Sequence, residues 1–521
     1  MNSGRTKIIV YSIYLSFFLV LIRLFYWQVI KSDELKRQLI LQLYKTDKIQ
    51  AQNGNIFDSF GNQLTFNRPI YYLSLYKPNL KSLPDIIIKI KTVKTDLKTS
   101  DLSLLDKFLN LDSNKWITLS SDFSQQEKEK LNSLNLSFVS STKLEHPYQN
   151  FAQHALAGLE QYYQKQLVGK AGFSWSSKNA VGQTILTNKI WTSPPNNGRN
   201  LYTTINPIVQ NNVENILKQG VLKYSADKGS VVVMSSQTGA ILAMADFSIA
   251  STSATLNPII ADLYEPGSIF KPLVMTMALN SQAVNSSFIC TGCSQPRVIG
   301  PSTITNWDKS VHPDSSIYDI IKNSDNIGMS YIIDHLGLTN FLSYYRLLNL
   351  DRKTGIDLSG ETKPILKNYW PDIDFATASF GQGFALTQIQ MISAFNTLAN
   401  NGYWVKPYLV NNKSTLPTKV FDLESTNKIK DILSYAVNNS PVANLKPPNL
   451  DVCAKSGTAQ VAVNGGYATD NAIASYIGFS PCVNPKFTML VTINNPKTST
   501  WGSSTAAPIW FDIAASLPPL L

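Results

Sequence analysis

Ser268 and Lys271 stand three residues apart where Pro266-Gly267 turns the chain into an apolar run. On a helix that spacing puts both side chains on one face, so an amine can reach a hydroxyl without help from distant chain. A serine beside such a base is a nucleophile for acyl transfer, and the N–H groups of a helix start favour the anion that forms. The spacing alone decides nothing, because Ser140 with Lys143 and Ser425 with Lys428 repeat it. What sets Ser268 apart is its company: Ser324-Asp325-Asn326 and Lys455-Ser456-Gly457-Thr458 follow downstream. A lysine base must be neutral, which requires lowering its pKa from about 10.4; partial burial and a second cation both do this, and Lys455 is the candidate cation. On a strand, the period of two puts the hydroxyls of Ser456 and Thr458 on one side, and Gly457 admits close backbone approach.

The elements that must position these groups are legible in outline. Asn206-Pro207 reads as a cap and first-turn proline opening a helix to about residue 220, with Ile208, Val213 and Ile216 or Leu217 facing inward. Residues 229–235 and 240–246 are β-rich runs joined by Ser236-Gln237-Thr238-Gly239, a hairpin pattern. Residues 450–461, 472–479 and 487–494 supply three more strands, and 506–515 a last helix. The pattern predicts an α/β (α+β) unit, a mostly antiparallel sheet with helices on both faces. Residues 388–398 read as an amphipathic helix, and Trp307 as a buried tryptophan rather than a cleft wall.

In this order the three motifs resemble those of penicillin-binding proteins. The resemblance runs nearly end to end. Gly54-Asn55-Ile56-Phe57-Asp58 through Leu64 is similar to the signature that follows the membrane anchor in class B members, with Asn53 where an arginine usually stands. Gly158 to Gly169, Thr354 to Glu361, Phe380-Gly381-Gln382-Gly383 and Ala399-Asn400-Asn401-Gly402 continue it. The resemblance implies a penicillin-binding transpeptidase, serine β-lactamase-like fold and assigns roles. Ser268 would form the acyl-enzyme and Lys271 take its proton. Ser324 would relay a proton to the departing D-alanine, Asn326 orient Lys271 and the substrate amide, and Lys455 supply the cation. Ser456, Gly457 and Thr458 would bind the substrate, with the N–H groups of Ser268 and Thr458 as oxyanion hole. The implied partners are peptidoglycan stem peptides ending in D-Ala-D-Ala and β-lactam antibiotics, with no cofactor.

Composition is consistent with this. The 521 residues, 44% apolar and 16% charged, leave room for two or three cored domains and exclude a disordered chain. The net charge of +11 suits anionic membrane, wall polymer or nucleic acid, and equally a plain lysine-rich surface; nucleic acid is not among the partners the resemblance implies. His146, His154, His312 and His335 are too scattered for a metal cluster, and no Gly-rich phosphate loop is present. A disulfide between Cys290 and Cys293 stays open, while Cys453 and Cys482 read as buried small residues. Residues 8–30 are apolar enough and, against a need of about 20 residues, long enough for a membrane helix. No small-x-small cleavage site follows them. Arg23 lies near the far end, where its side chain can snorkel, and Phe25-Tyr26-Trp27 would form an interfacial belt.

The expected organisation is a cytoplasmic tail (1–7), a transmembrane helix (8–30), an elongated non-catalytic pedestal (31–195) and a transpeptidase domain (196–521). The chain would be a single-pass protein of the cytoplasmic membrane, its N-terminus inside and its catalytic domain on the periplasmic or extracellular side. The ending, Val491 to Pro496, Trp501-Gly502 and Ala507-Pro508, is more similar to septal than to elongation members. The resemblance therefore implies a septal D,D-transpeptidase working with a lipid-linked glycan polymerase and division proteins. An elongation-type enzyme, a penicillin-sensing receptor, a D,D-carboxypeptidase and a β-lactamase are the alternatives. Glu361 is read as holding a turn, not as a base for a deacylating water.

Overall fold

Four consecutive apolar residues, Val231 to Met234, are wholly buried, which a strand achieves only when both faces of its sheet are covered. They lie in β1 (Lys228–Ser235), which turns through residues 236–239 into β2 (Ile241–Ser248). With β3 (Cys453–Val463), β4 (Gly466–Ser480) and β5 (Phe487–Asn494) they form a sheet of order β2-β1-β5-β4-β3, antiparallel at every step. The helices that matter to the site are α1 (Pro207–Lys223), α2 (Lys271–Asn280), α3 (Ile317–Lys322), α4 (Asn326–Leu336), α5 (Gln388–Ala399), α6 (Leu423–Asn438) and α7 (Ala506–Ser516). The computed structural model describes residues 3–36, 44–80, 82–110, 116–134, 136–148, 151–178, 184–250, 256–411, 416–463 and 466–517.

Strand alternation sorts the core into two layers. Val231, Val233, Tyr476, Val491 and Ile493 share a cluster with Val209, Val213, Leu217 and Val221 of α1 and with Ile509, Trp510 and Ile513 of α7. The Trp510 indole N–H donates to the Met489 carbonyl at 2.9 Å, so its one polar atom is satisfied. On the opposite face, Ser230 donates to Gln388 at 2.9 Å and Thr488 to Asn396 at 2.6 Å, which fixes α5.

Two expectations about helix faces need correction. Asn206 caps α1 by accepting from the N–H groups of Ile208 and Val209, and the rotation this sets turns Val209 inward and leaves Ile208 46% exposed. The α5 segment is not amphipathic in use, since all twelve of its residues are buried. Its polar side chains are accommodated because they are bonded: Gln390 to Thr387 and Arg352, Ser393 to Ile389, Asn396 to Ser236 and Thr488.

The chain divides into two compact units, residues 1–54, 67–145 and 166–199, and residues 55–66, 146–165 and 200–521. The first holds a three-stranded sheet with Phe66–Tyr76 between Trp116–Phe123 and Ser137–Glu145. Helices Leu83–Val93 and Thr99–Asn110 and the strands pack Leu73, Leu75, Ile86, Ile87, Ile90, Leu105, Phe108 and Leu119 together. Ser124 and Glu127 form a capping box at the start of the helix Gln125–Leu131. At the N-terminus, helix Ser3–Phe25 continues as one wide turn, Tyr26–Ile30; residues 7–30 are long and apolar enough to cross a membrane.

Candidate active site

Ser268 sits in a 3-10 turn, Gly267–Phe270, that leads into α2. Two glycines allow this turn. Gly267 has φ +62°, and Gly381, at φ +75°, lies so close that a Cβ there would fall 2.3 Å from the Gly267 carbonyl; the Gly267 N–H donates to the Gly381 carbonyl at 3.0 Å. On the other side, a Cβ on Gly457 would fall 2.8 Å from the Ile269 side chain and 2.6 Å from Ser475 Oγ. The close approach that Gly457 permits is therefore made by the serine turn itself.

Lys271 is wholly buried, and its Nζ donates to the Ser324 carbonyl, to Ser324 Oγ at 3.2 Å and to Asn326 Oδ1 at 2.7 Å. No hydrogen bond joins it to Ser268 among those of the described residues; such contacts often tighten only when substrate binds. Lys455 reaches the same serine from the opposite side, donating to Ser324 Oγ at 3.1 Å and to the Ser456 carbonyl at 2.9 Å. Ser324 thus stands between two amines. Its own backbone is left-handed, φ +55°, a conformation uncommon for a side-chain-bearing residue, and this turns both its carbonyl and its hydroxyl toward Lys271.

Burial holds Lys271 well below the usual lysine range, Lys455 lowers it further, and Asp325 opposes the shift. Burial alone brings Lys455 to about 7. Burial and the second cation are both expected to lower Lys271; in the fold, burial comes first. The Phe380 ring lies 5.9 Å from Lys271 Nζ and forms part of the cleft lining.

These groups line one cleft of about 530 Å³, with Ser268, Asn326, Lys455, Ser456, Gly457, Thr458, Trp307 and Trp501 on its walls. β3 is the edge strand of the sheet, so its outer edge is open to the cleft. Ser456 and Thr458 are half-buried neighbours on it, and Thr458 Oγ1 accepts from the Gly502 N–H at 3.1 Å. Trp307 is 55% exposed and packs edge-on against Trp501 at 4.8 Å, forming a lip of the cleft; the expectation of a buried tryptophan fails because Trp307 lies on a loop with no sheet above it.

The rival pairs are not sites of this kind. Ser140 and Lys143 lie on a strand, where residues three apart point to opposite faces. Lys428, on α6, is bonded to the Tyr318 hydroxyl at 2.8 Å. Glu361 accepts from the N–H groups of Thr354 and Gly355 and from the Thr354 hydroxyl, holding its turn.

The cysteine reading also changes. Cys290–Cys293 is a disulfide, and so is Cys453–Cys482, which had read as two buried thiols. The antiparallel pairing of β3 with β4 brings the second pair together across 29 residues and ties the chain two positions before Lys455. Residues that sequence reasoning passed over include Asp325, the buried N-cap of α4, and Asn306, which accepts from the Asn326 N–H at 2.7 Å. An Asp ahead of an apolar helical run is itself a capping signal; nothing comparable marked Asn306.

A serine and two buried lysines on the edge of an antiparallel sheet between helices define a serine acyl-transfer site. Residues 229–515 match the penicillin binding protein transpeptidase domain, and the chain belongs to that family. It is 25% identical over 525 residues to the probable peptidoglycan D,D-transpeptidase PenA of Neisseria gonorrhoeae, covering 95% of this chain and 89% of that one. It is 26% identical to peptidoglycan D,D-transpeptidase FtsI of Buchnera aphidicola subsp. Baizongia pistaciae, covering 98% and 94%. Among solved structures, penicillin binding protein 2X from Streptococcus thermophilus matches its fold with a TM-score of 0.70 at 21% identity, over 91% of this chain and 81% of that one.

Proposed function

We propose that the chain is a class B, division-type peptidoglycan D,D-transpeptidase that cross-links stem peptides through an acyl-Ser268 intermediate and is acylated by β-lactams at the same hydroxyl. The observation that carries the residue roles is the convergence of two buried amines, Lys271 and Lys455, on Ser324 Oγ beside Ser268. Neutral Lys271 takes the proton of Ser268 as Oγ bonds to the carbonyl carbon of the penultimate D-alanine. The tetrahedral anion collapses with loss of D-alanine, whose nitrogen receives a proton through Ser324. An acceptor amine then displaces Ser268 and forms the new amide. The open edge of β3 suits an extended peptide added as a further strand, with Ser456 and Thr458 toward its carboxylate, Asn326 toward its amide, and the N–H groups of Ser268 and Thr458 toward the oxyanion.

The apolar N-terminal helix fits a single-pass anchor. Four cysteines forming two disulfides support a catalytic unit on the oxidising side of the membrane, and hence an N-terminus in the cytoplasm. Residues 31–195 as a non-catalytic pedestal and 196–521 as the transpeptidase domain remain the proposed division of labour. The division-type relatives support a septal setting with a lipid-linked glycan polymerase as partner. Labelling with a fluorescent penicillin tests the core of this reading: Ser268→Ala should abolish covalent labelling, while Ser140→Ala and Ser425→Ala label as the parent does. Labelling that survives loss of the Ser268 hydroxyl would overturn the assignment.

A further inference from the structure

A single loop, residues 305–314, contacts Asn323, Asp325 and Asn326, the residues on either side of Ser324 in the turn that holds Lys271. Trp307 donates from its indole to the Asn323 carbonyl at 3.3 Å, Asn306 accepts from the Asn326 N–H at 2.7 Å, and the Thr305 carbonyl accepts from the Asn326 side-chain amide at 3.0 Å. That last bond orients the amide so that its oxygen, rather than its nitrogen, faces Lys271. The fourth contact is His312 Nδ1 to Asp325 Oδ2 at 2.9 Å. Asp325 is wholly buried, and its other oxygen accepts from the Gly328 N–H at 2.8 Å at the start of α4. A carboxylate only accepts, so Nδ1 carries a proton, and Nε2 is hydrogen-bonded to the Ser310 hydroxyl at 3.1 Å.

We propose that His312 is a positioning residue for acyl transfer: its Nδ1–H holds the Asp325 carboxylate and thereby keeps the oxygens of Ser324 and Asn326 on Lys271. The proposal rests on the reading of Ser268 and Lys271 given above. Two consequences of losing the imidazole run in one direction. The turn loses a tie on its central residue, and the buried Asp325 charge, which favours the protonated form of Lys271, loses a hydrogen-bond donor that offsets it. The charged groups acting with His312 are Asp325, from α4, and Asp308, on its own loop.

The test is the pH dependence of penicillin acylation in the full chain in detergent, with saturation kinetics separating binding from the acylation step. His312→Leu should slow the saturating step at pH 7 by about tenfold, leave half-saturation within about twofold, and move the ascending limb up by about one pH unit, the equivalent of that tenfold. His312→Asn, which restores an N–H donor near the position of Nδ1, should recover most of the rate and return the limb. A rate that falls equally at every pH with an unmoved limb, or an Asn variant as slow as the Leu variant, overturns the proposal. Should the Leu variant fail to fold, His312→Gln, whose donor is displaced by one methylene, must show the same upward shift in smaller degree; an unmoved limb there has the same force. Ser268→Ala run alongside separates the two readings, since labelling of that variant would sink the nucleophile assignment whatever His312 does.

Discussion

At the scale of single residues the site is governed by how burial treats charge. Lys271 and Lys455 would each cost several kcal/mol to bury as isolated cations, so the fold lowers their proton affinity instead. The sign of the pH effect follows. A lysine held below its ordinary value binds more protons unfolded than folded, so stability rises with pH between the folded value, about 7 for Lys455, and the unfolded value of about 10.4. Acylation should rise with pH as the Lys271 base becomes neutral, and its ascending limb should lie well below pH 10; a limb at the free-lysine value would show that Lys271 is not the base. The two amines share Ser324, so the limb belongs to the pair. Glu361 bears on the next step. With both its oxygens committed to the turn around Thr354, it is not available to activate a water. The penicilloyl ester should persist for at least several minutes, against turnover of about 1 to 1,000 per second in ordinary enzymes. Intact mass followed after removal of excess penicillin reads this directly, and rapid return to the unmodified mass would identify a hydrolase.

At the scale of elements, the site depends on a few places where backbone segments approach more closely than side chains allow. The serine turn is held between Gly381 on one side and Gly457 on the other, and β3 is held in turn by Gly502, where a Cβ would fall 2.3 Å from the Gly457 carbonyl. Gly457→Ala should therefore push β3 away from Ile269 and slow penicillin acylation by roughly tenfold or more, since a factor of ten needs only about 1.4 kcal/mol in the transition state. Far-ultraviolet circular dichroism should stay unchanged, because the added methyl meets only the side chains of Ile269 and Ser475 and the backbone of the serine turn, and leaves the strand pairing in place. Parent-like acylation would mean that the turn yields at no cost and that the glycine serves something else.

For the whole molecule, the apolar helix and the cored catalytic unit make separable demands. Val231 to Met234 and the α1 and α7 layers give residues 200–521 a core of their own, and residues 7–30 contribute none of their surface to any core. Removing residues 1–31 should give a protein that stays in solution without detergent and is still labelled by penicillin, whereas the full chain should stay with membranes through a high-salt wash. Release by salt alone would mean attachment through the basic surface instead.

The three motifs, their order and the helix that would span a membrane could be read from the chain because they depend on local spacing, composition and resemblance. The sheet strands were legible too, since a run such as Val231 to Met234 has no other stable place than a strand covered on both faces. Whatever depends on contacts between distant segments was not. The pairing of Cys453 with Cys482, the role of Trp307 as a cleft lip, the complete burial of α5 and the space that Gly457 leaves for Ile269 are all set by which elements the sheet order brings together. So is the tuning of Lys271. Sequence placed Lys271 beside Ser268, but only tertiary structure buries it, aims it at Ser324 and Asn326, and sets Asp325 with His312 behind them, because the energy of a charge depends on the solvent it has lost and the dipoles that replace it, and neither is written in the order of residues along the chain.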